Sequence, residues 1–340
     1  METTAPVRGD STDPVIRVRG LARTFTTRTG AVQAVTGIDF DVHHGEIIGL
    51  LGPNGAGKTT TLRMIATLLQ PSAGEATIVG ADLRGESRTV RARIGYVPQG
   101  GSTNETELVE DELILQARLF GVTKAEAKQA VAELAKALEF DGLERRKCGE
   151  LSGGQRRRVD IALGLIHRPT LVYLDEPTTG LDPQSRANLW EHIRRLRDGG
   201  TTVVLTTHYL EEADALCDRI LVMDHGGIVA QGTPDDLKRR ISGDVISLEL
   251  DSAQADLALE VAARTVPVRS GLHADGHENG HAGKALVHLT VDHGDAAVVP
   301  LLRALGDHGV TPGALTVKRP SLDDVFLTLT GRSLREGDRS

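Results

Sequence analysis

The run Gly52-Pro53-Asn54-Gly55-Ala56-Gly57-Lys58-Thr59-Thr60 satisfies the pattern GxxxxGK[ST]. No other stretch restricts the fold as much. It follows a short apolar run, Glu46 to Leu51, and precedes Thr60 to Leu69, whose apolar residues recur at helical spacing. A strand, a phosphate loop and a helix in that order predict an α/β fold of the P-loop NTPase type. The glycines let successive backbone N–H groups converge on one anion, and the helix start adds partial positive charge. Lys58 is then expected to reach the β and γ phosphates of a nucleotide, and Thr59 to coordinate the accompanying Mg²⁺.

The chain has 340 residues, length for about two domains. With 39 basic against 47 acidic residues its net charge is −8, a poor basis for nucleic-acid binding through a general basic surface. Cys148 and Cys217 stand in no metal or redox spacing, and with 3 % aromatics the core must rest on Leu, Val, Ile and Ala. Residues 1–14 lack the apolar segment of a secretory signal and read as a disordered leader. No apolar run approaches the ~20 residues that cross a bilayer, so any membrane role calls for a separate membrane-spanning partner.

Val15 to Arg19 and Ile38 to Val42 alternate as half-buried antiparallel strands do. Phe25, between them, is either a core or edge residue or a platform for a base. Ala76 to Val79 and Ile94 to Val97 read as further strands, the second delivering Gln99, a loop amide or a Mg²⁺ ligand. Residues 105–166 read as a helical insertion in which Thr123 is placed to cap a helix. Arg156, Arg157 and Arg158 read as a solvated or interface face. Leu171 to Leu174 is an apolar strand ending in Asp175 and Glu176, as a phosphate loop requires of its partner strand. Asp175 is expected to hold Mg²⁺ through water and Glu176 to polarise the attacking water. Thr201 to Thr207 is a further strand, and His208 at its end is placed to face the γ-phosphate.

Taken in order, Gly52 to Thr60, Gln99, Leu151-Ser152-Gly153-Gly154-Gln155, Asp175-Glu176, Gly180-Leu181-Asp182 and His208 resemble the nucleotide-binding subunit of an ATP-binding cassette (ABC) transporter. Leu151 to Gln155 separates this family from kinases and GTPases. The resemblance covers about Val15 to Arg240. It implies that Phe25 stacks on adenine, that Gln99 links Mg²⁺ and water to the helical insertion, that Asp182 belongs to a turn crossing a dimer interface, and that His208 senses the γ-phosphate. It also implies a head-to-tail homodimer, with Ser152, Gly153, Gly154 and Gln155 of one copy closing on the ATP held by the other. Leu181 to Arg186, Leu205 to Asp214, Gln231 to Pro234 and Pro320 to Phe326 are similar to bacterial drug exporters of the daunorubicin-resistance type.

After residue 240 the composition shifts. Residues 241–331 read as strand, helix, strand twice over, a small βαββαβ unit, with 332–340 as a tail. The segment 271–283 carries His273, His277 and His281 at equal spacing; on a helix these would stack as a metal site, but its glycines favour a flexible loop. The resulting expectation is an ATP-hydrolysing motor, using ATP and Mg²⁺, at the cytoplasmic face of the membrane beneath a polytopic permease. The rival readings are the motor of another ABC transporter, an importer among them, and a soluble ABC ATPase acting on nucleic acid or ribosomes. The interval between phosphate loop and signature has no room for a long coiled coil, and only one cassette is present, so no nucleic-acid partner is expected.

Overall fold

The structure is a computed structural model that describes residues 13–28, 30–241, 243–276, 284–318 and 321–330. Residues 1–12 of the leader, His277, His281 and the tail 332–340 lie outside the described residues. The chain divides into two compact units between Gln231 and Gly232.

In the first unit the chain runs through β1 (Ile16–Thr27), β2 (Gly30–Val42), β3 (Ile47–Leu51), α1 (Lys58–Ile65), β4 (Ala73–Ile78), β5 (Ala81–Asp82), α2 (Ser87–Arg93) and β6 (Ile94–Val97). It continues through α3 (Val109–Leu119), α4 (Lys124–Ala137), α5 (Gly153–Leu165), β7 (Leu171–Asp175), α6 (Pro183–Asp198), β8 (Thr202–Thr207), α7 (Leu210–Leu216), β9 (Arg219–Asp224) and β10 (Gly227–Gly232). One sheet, of order β2-β1-β4-β5, is antiparallel. The other has the order β10-β9-β3-β8-β7-β6, with β9, β3, β8, β7 and β6 running parallel.

The sequence-based strands at 15–19 and 38–42 are the outer ends of a longer hairpin. Irregular pairing between Val18 and Leu21, and again between Arg23 and Thr24, breaks the alternation that would have revealed the rest. Strands β3, β7 and β8 are buried at every position, which is why they read as continuous apolar runs. Leu62, Met64 and Ile65 of α1 join Ile16, Val18, Val35 and Phe40 of the antiparallel sheet and Leu50, Tyr173 and Val204 of the parallel sheet in one core. The helix that follows the phosphate loop is therefore held by both sheets. Thr123 and Glu126 form a reciprocal capping box at the start of α4.

The second unit holds α8 (Pro234–Ile241), β11 (Asp244–Asp251), α9 (Ala255–Thr265), β12 (Val268–Gly276), β13 (Lys284–Val291), α10 (Gly294–Asp307), β14 (Ala314–Lys318) and α11 (Leu322–Thr330). Its antiparallel sheet has the order β12-β13-β11-β14, the pairing of a βαββαβ unit. Leu248, Val287 and Leu289 face Ala258, Ala262, Leu301 and Leu305 of the two helices in a separate core. The composition shift at 241 falls after the structural division, because α8 packs on α11 and so belongs to this unit. The flexible-loop expectation for 271–283 also needs correction: 271–276 extend β12, and His273 pairs in register with His288. Main-chain pairing to β13 overrides the weak strand preference of the glycines there.

Candidate nucleotide site

Strand order places the site. β3, β8, β7 and β6 are neighbours and parallel, so their carboxyl ends emerge side by side on one edge of the sheet. The phosphate loop leaves β3, His208 follows β8, Asp175 and Glu176 end β7, and Gln99 follows β6. Register supports this alignment: Leu51 pairs with Thr207 and Asp175 with Thr206. Ligands bind at such an edge, where loops rather than helices cover the strand ends.

Gly57 precedes α1 with φ 100°, and a Cβ there would stand 2.6 Å from the Ala34 carbonyl oxygen. Gly52 is pressed equally hard, against the Met223 carbonyl. Both positions exclude a side chain, and the loop closes as a tight cradle. The Lys58 ammonium is buried and donates to the Gly52 and Pro53 carbonyls at 2.7 and 3.0 Å, which turns it back into the concavity of the loop. Pro53, Asn54, Gly55 and Ala56 form the curve between these anchors, and Thr60 begins the second half of the first helical turn.

Thr59 Oγ1 donates to Asp175 Oδ1 at 2.9 Å, so the loop hydroxyl and the β7 carboxylate meet. Asp175 is fully buried, and Thr206 Oγ1 donates to the same oxygen at 2.7 Å while Tyr96 approaches the other at 3.4 Å. Burial and the Asp175 charge both push the Tyr96 phenol up, keeping it a donor.

Glu176 has a left-handed backbone, φ 45°, an uncommon conformation for a residue with a side chain. Its N–H is shared between the Thr206 hydroxyl at 3.0 Å and the Thr206 carbonyl at 3.2 Å. Its carboxylate, 8 % exposed, accepts from Gln99 Nε2 at 2.8 Å and from Thr179 Oγ1 at 3.1 Å. His208 Nδ1 stands 3.3 Å away, a close polar contact outside hydrogen-bond geometry. Burial raises the Glu176 pKa, but His208, the Lys58 charge and the Thr179 hydroxyl together outweigh it and leave it lowered. At neutral pH Glu176 is therefore an anion at the mouth of the phosphate loop. Three strand ends thus bring Gln99 and His208 against the Glu176 carboxylate.

The other expected residues lie apart from this contact set. Ser152 caps α5, accepting from the Gln155 N–H at 3.3 Å while Gln155 Oε1 accepts from the Ser152 N–H at 3.0 Å. Ser152 and Gly153 are exposed, and no described hydrogen bond ties them to the phosphate loop of their own chain. Gly154 lies against Ser185, which the exposed Asp182 caps at the start of α6. Two hydrogen bonds from Ser185 hold the Asp182 carboxyl below its ordinary range. Phe25 is half-buried near the end of β1 and carries the Arg23 guanidinium 4.6 Å from its ring centroid.

Residues 35–179 match the ABC transporter family, and residues 232–330 match the C-terminal domain of DrrA1-3-like ATP-binding proteins. A daunorubicin resistance ATP-binding protein of Streptomyces coeruleorubidus is 42 % identical, covering 91 % of this chain and 94 % of its own. The chain belongs to the ATP-binding subunits of ABC transporters. A linearmycin resistance ATP-binding protein of Bacillus subtilis is 37 % identical over 90 % of this chain and 96 % of its own. A dimeric structure of a bacterial ABC transporter cassette superposes with a TM-score of 0.59 at 25 % identity, covering 64 % of this chain and 98 % of that one. The protein is thus an ATPase, the ATP-binding motor of an ABC exporter.

In this ABC subunit several residues that the sequence did not single out shape the site. Thr206 holds both carboxylate-bearing residues, Tyr96 backs Asp175, and Thr179 braces Glu176. Their signal was positional: Thr206 and Tyr96 lie just before strand ends already recognised. The arginine run needs correction. Arg156 pairs with Glu105 at 2.9 Å and Arg158 donates to the Glu139 carbonyl, but Arg157 is buried under the ends of β6 and β7. Helical rotation sends the middle arginine inward.

Proposed function

We propose that this subunit drives export of an antibiotic or other apolar drug through a separate membrane-spanning permease. The convergence of Gln99, Glu176 and His208 beside the Thr59–Asp175 contact carries the reading. Phe25 stacks on the adenine through the ring face opposite Arg23, and the phosphate loop from Gly52 to Thr60 holds the phosphates with Lys58 as their charge partner. The residues fit Mg²⁺: a threonine hydroxyl and a buried carboxylate lie 2.9 Å apart, and the Gln99 amide oxygen is not engaged by the bond its nitrogen gives to Glu176. Thr59, Asp175 and Gln99 would hold the ion, which when bound neutralises charge on the β and γ phosphates. Glu176 takes the proton of the attacking water, and His208 steadies both that carboxylate and the γ-phosphate.

Two copies work head to tail. The exposed Ser152 and Gly153, with the half-buried Gly154 and Gln155 behind them, supply the second wall of the partner's site, and Asp182 lies in the turn that crosses the interface. That a solved bacterial ABC transporter cassette is dimeric supports the pairing of two copies. No helix among the described residues is long and apolar enough to cross a membrane. In this reading the chain works at the cytoplasmic face, held there by the permease. Names of relatives for daunorubicin and linearmycin resistance support a drug as cargo. We further infer a cassette that begins at residue 15 and carries its helical part at about 105–166, followed from Gly232 by an accessory domain that takes in α8. The test is affinity capture of the tagged chain from gently solubilised native membranes. A polytopic membrane protein in stoichiometric yield is the expected result; ribosomes, DNA or no membrane protein would overturn the transport reading.

A further inference from the structure

Arg157 is a buried guanidinium with an unusual set of partners. Its Nε donates to the Pro177 carbonyl at 2.8 Å, Nη1 to that of Pro98 at 2.7 Å, and Nη2 to those of Asp175 and Glu176 at 3.1 and 3.4 Å. All of these acceptors are backbone, and all lie where β6 and β7 hand over to Gln99 and Glu176. A second observation points to the same place. Glu176 sits in the left-handed region, and such a conformation persists only where the surroundings over-determine it. Thr206 grips its N–H from one side; Arg157 grips its carbonyl, and those of both neighbours, from the other. One turn further along α5, Asp160 accepts from the N–H groups of Ser102 and Thr103 at 2.7 and 3.1 Å, fastening the segment after Gln99 to the same helix. The planar fork of a guanidinium holds several oxygens at fixed angles, which an ammonium cannot do.

We propose that Arg157 is a positioning residue: it locks the strained backbone of Glu176 and makes the position of α5 set the aim of that carboxylate. This rests on the head-to-tail reading, in which the start of α5 touches the partner's nucleotide. The exposed end of the helix then senses one ATP while Arg157, within the same helix, orients the base at the other. The ATP sites of a dimer are coupled through the chain that joins them.

The test is steady-state ATP hydrolysis by the full-length protein and by Arg157→Lys, with thermal melting as the folding control. Arg157 touches the Lys58–Thr59–Asp175 cradle only at the Asp175 main-chain carbonyl, not at the carboxylate that meets Thr59, so the expected result is kcat reduced about 10- to 100-fold, KM for ATP within about twofold, and the Hill coefficient reduced from above 1 to 1. Arg157→Gln, which keeps one donor in the same place, is the second variant should Arg157→Lys fail to fold, with the same signature expected. A folded variant that retains the wild-type Hill coefficient, or retains kcat within twofold, overturns the proposal; so does a wild-type Hill coefficient of 1. Glu176→Gln, run alongside, separates the two levels: if it turns over normally, the assignment of the base has failed, whereas loss of turnover there with an unaltered Arg157→Lys condemns Arg157 alone.

Discussion

The hydroxyl of Thr206 is the smallest group whose removal disturbs both carboxylates. It donates to Asp175 Oδ1 at 2.7 Å and accepts from the Glu176 N–H at 3.0 Å, and the residue is fully buried. Thr206→Val replaces it with a methyl of similar size, so no cavity opens and the loss is polar. Asp175 keeps the Thr59 bond, and the Glu176 N–H keeps the Thr206 carbonyl at 3.2 Å, so neither group is left wholly unpaired. A hydrogen bond to a charged acceptor contributes about 1.5–3 kcal/mol, and that is the expected fall in unfolding free energy at pH 7. If about 1.4–2.7 kcal/mol of it also stabilises the aligned transition state, kcat falls about 10- to 100-fold. Urea denaturation and phosphate release at saturating ATP give the two numbers, and Thr206→Ser, which keeps the hydroxyl, should stay near wild type in both. A Val variant with wild-type turnover and stability would refute the claim that this hydroxyl organises the carboxylate pair.

The lowered pKa of Glu176 has a definite sign: its ionised form stabilises the fold above the unfolded-state value of about 4.3, and that contribution fades as pH falls through the lower folded value. The stability gap between wild type and Glu176→Gln, followed by urea midpoints from pH 7 down to about 3, should therefore hold until about pH 5 and shrink below it; a gap that widens contradicts the assigned environment. Gly57→Ala combines a strained φ with a Cβ 2.6 Å from the Ala34 oxygen, and it should weaken nucleotide binding more than tenfold by fluorescent-analogue titration. Binding at wild-type strength would show that the loop has slack the structure does not contain.

The parts legible in the sequence are those where chemistry and local structure coincide. A phosphate loop must sit between a strand and a helix, and fully buried parallel strands announce themselves as apolar runs that end abruptly in Gln99, Asp175-Glu176 and His208. Other features depend on partners distant in sequence. Arg157 reads as one of three surface arginines because nothing local reveals that the β6 and β7 carbonyls lie beneath it. The β1–β2 hairpin is hidden by its bulges, and the strand through His273 by glycines that only pairing with β13 holds extended. Thr206 shows the same limit from the other direction: as a strand threonine it is unremarked, and only register with Asp175 makes it part of the site.

The central claim is that Glu176 is the base of an ATPase whose phosphate cradle is otherwise independent of it. The most direct measurement is ATP binding and hydrolysis by Glu176→Gln in parallel with wild type. The account predicts binding within about twofold and hydrolysis reduced about 100-fold or more, because a positioned base contributes about 10²- to 10⁴-fold. Hydrolysis at the wild-type rate, with ATP bound equally well, would contradict it.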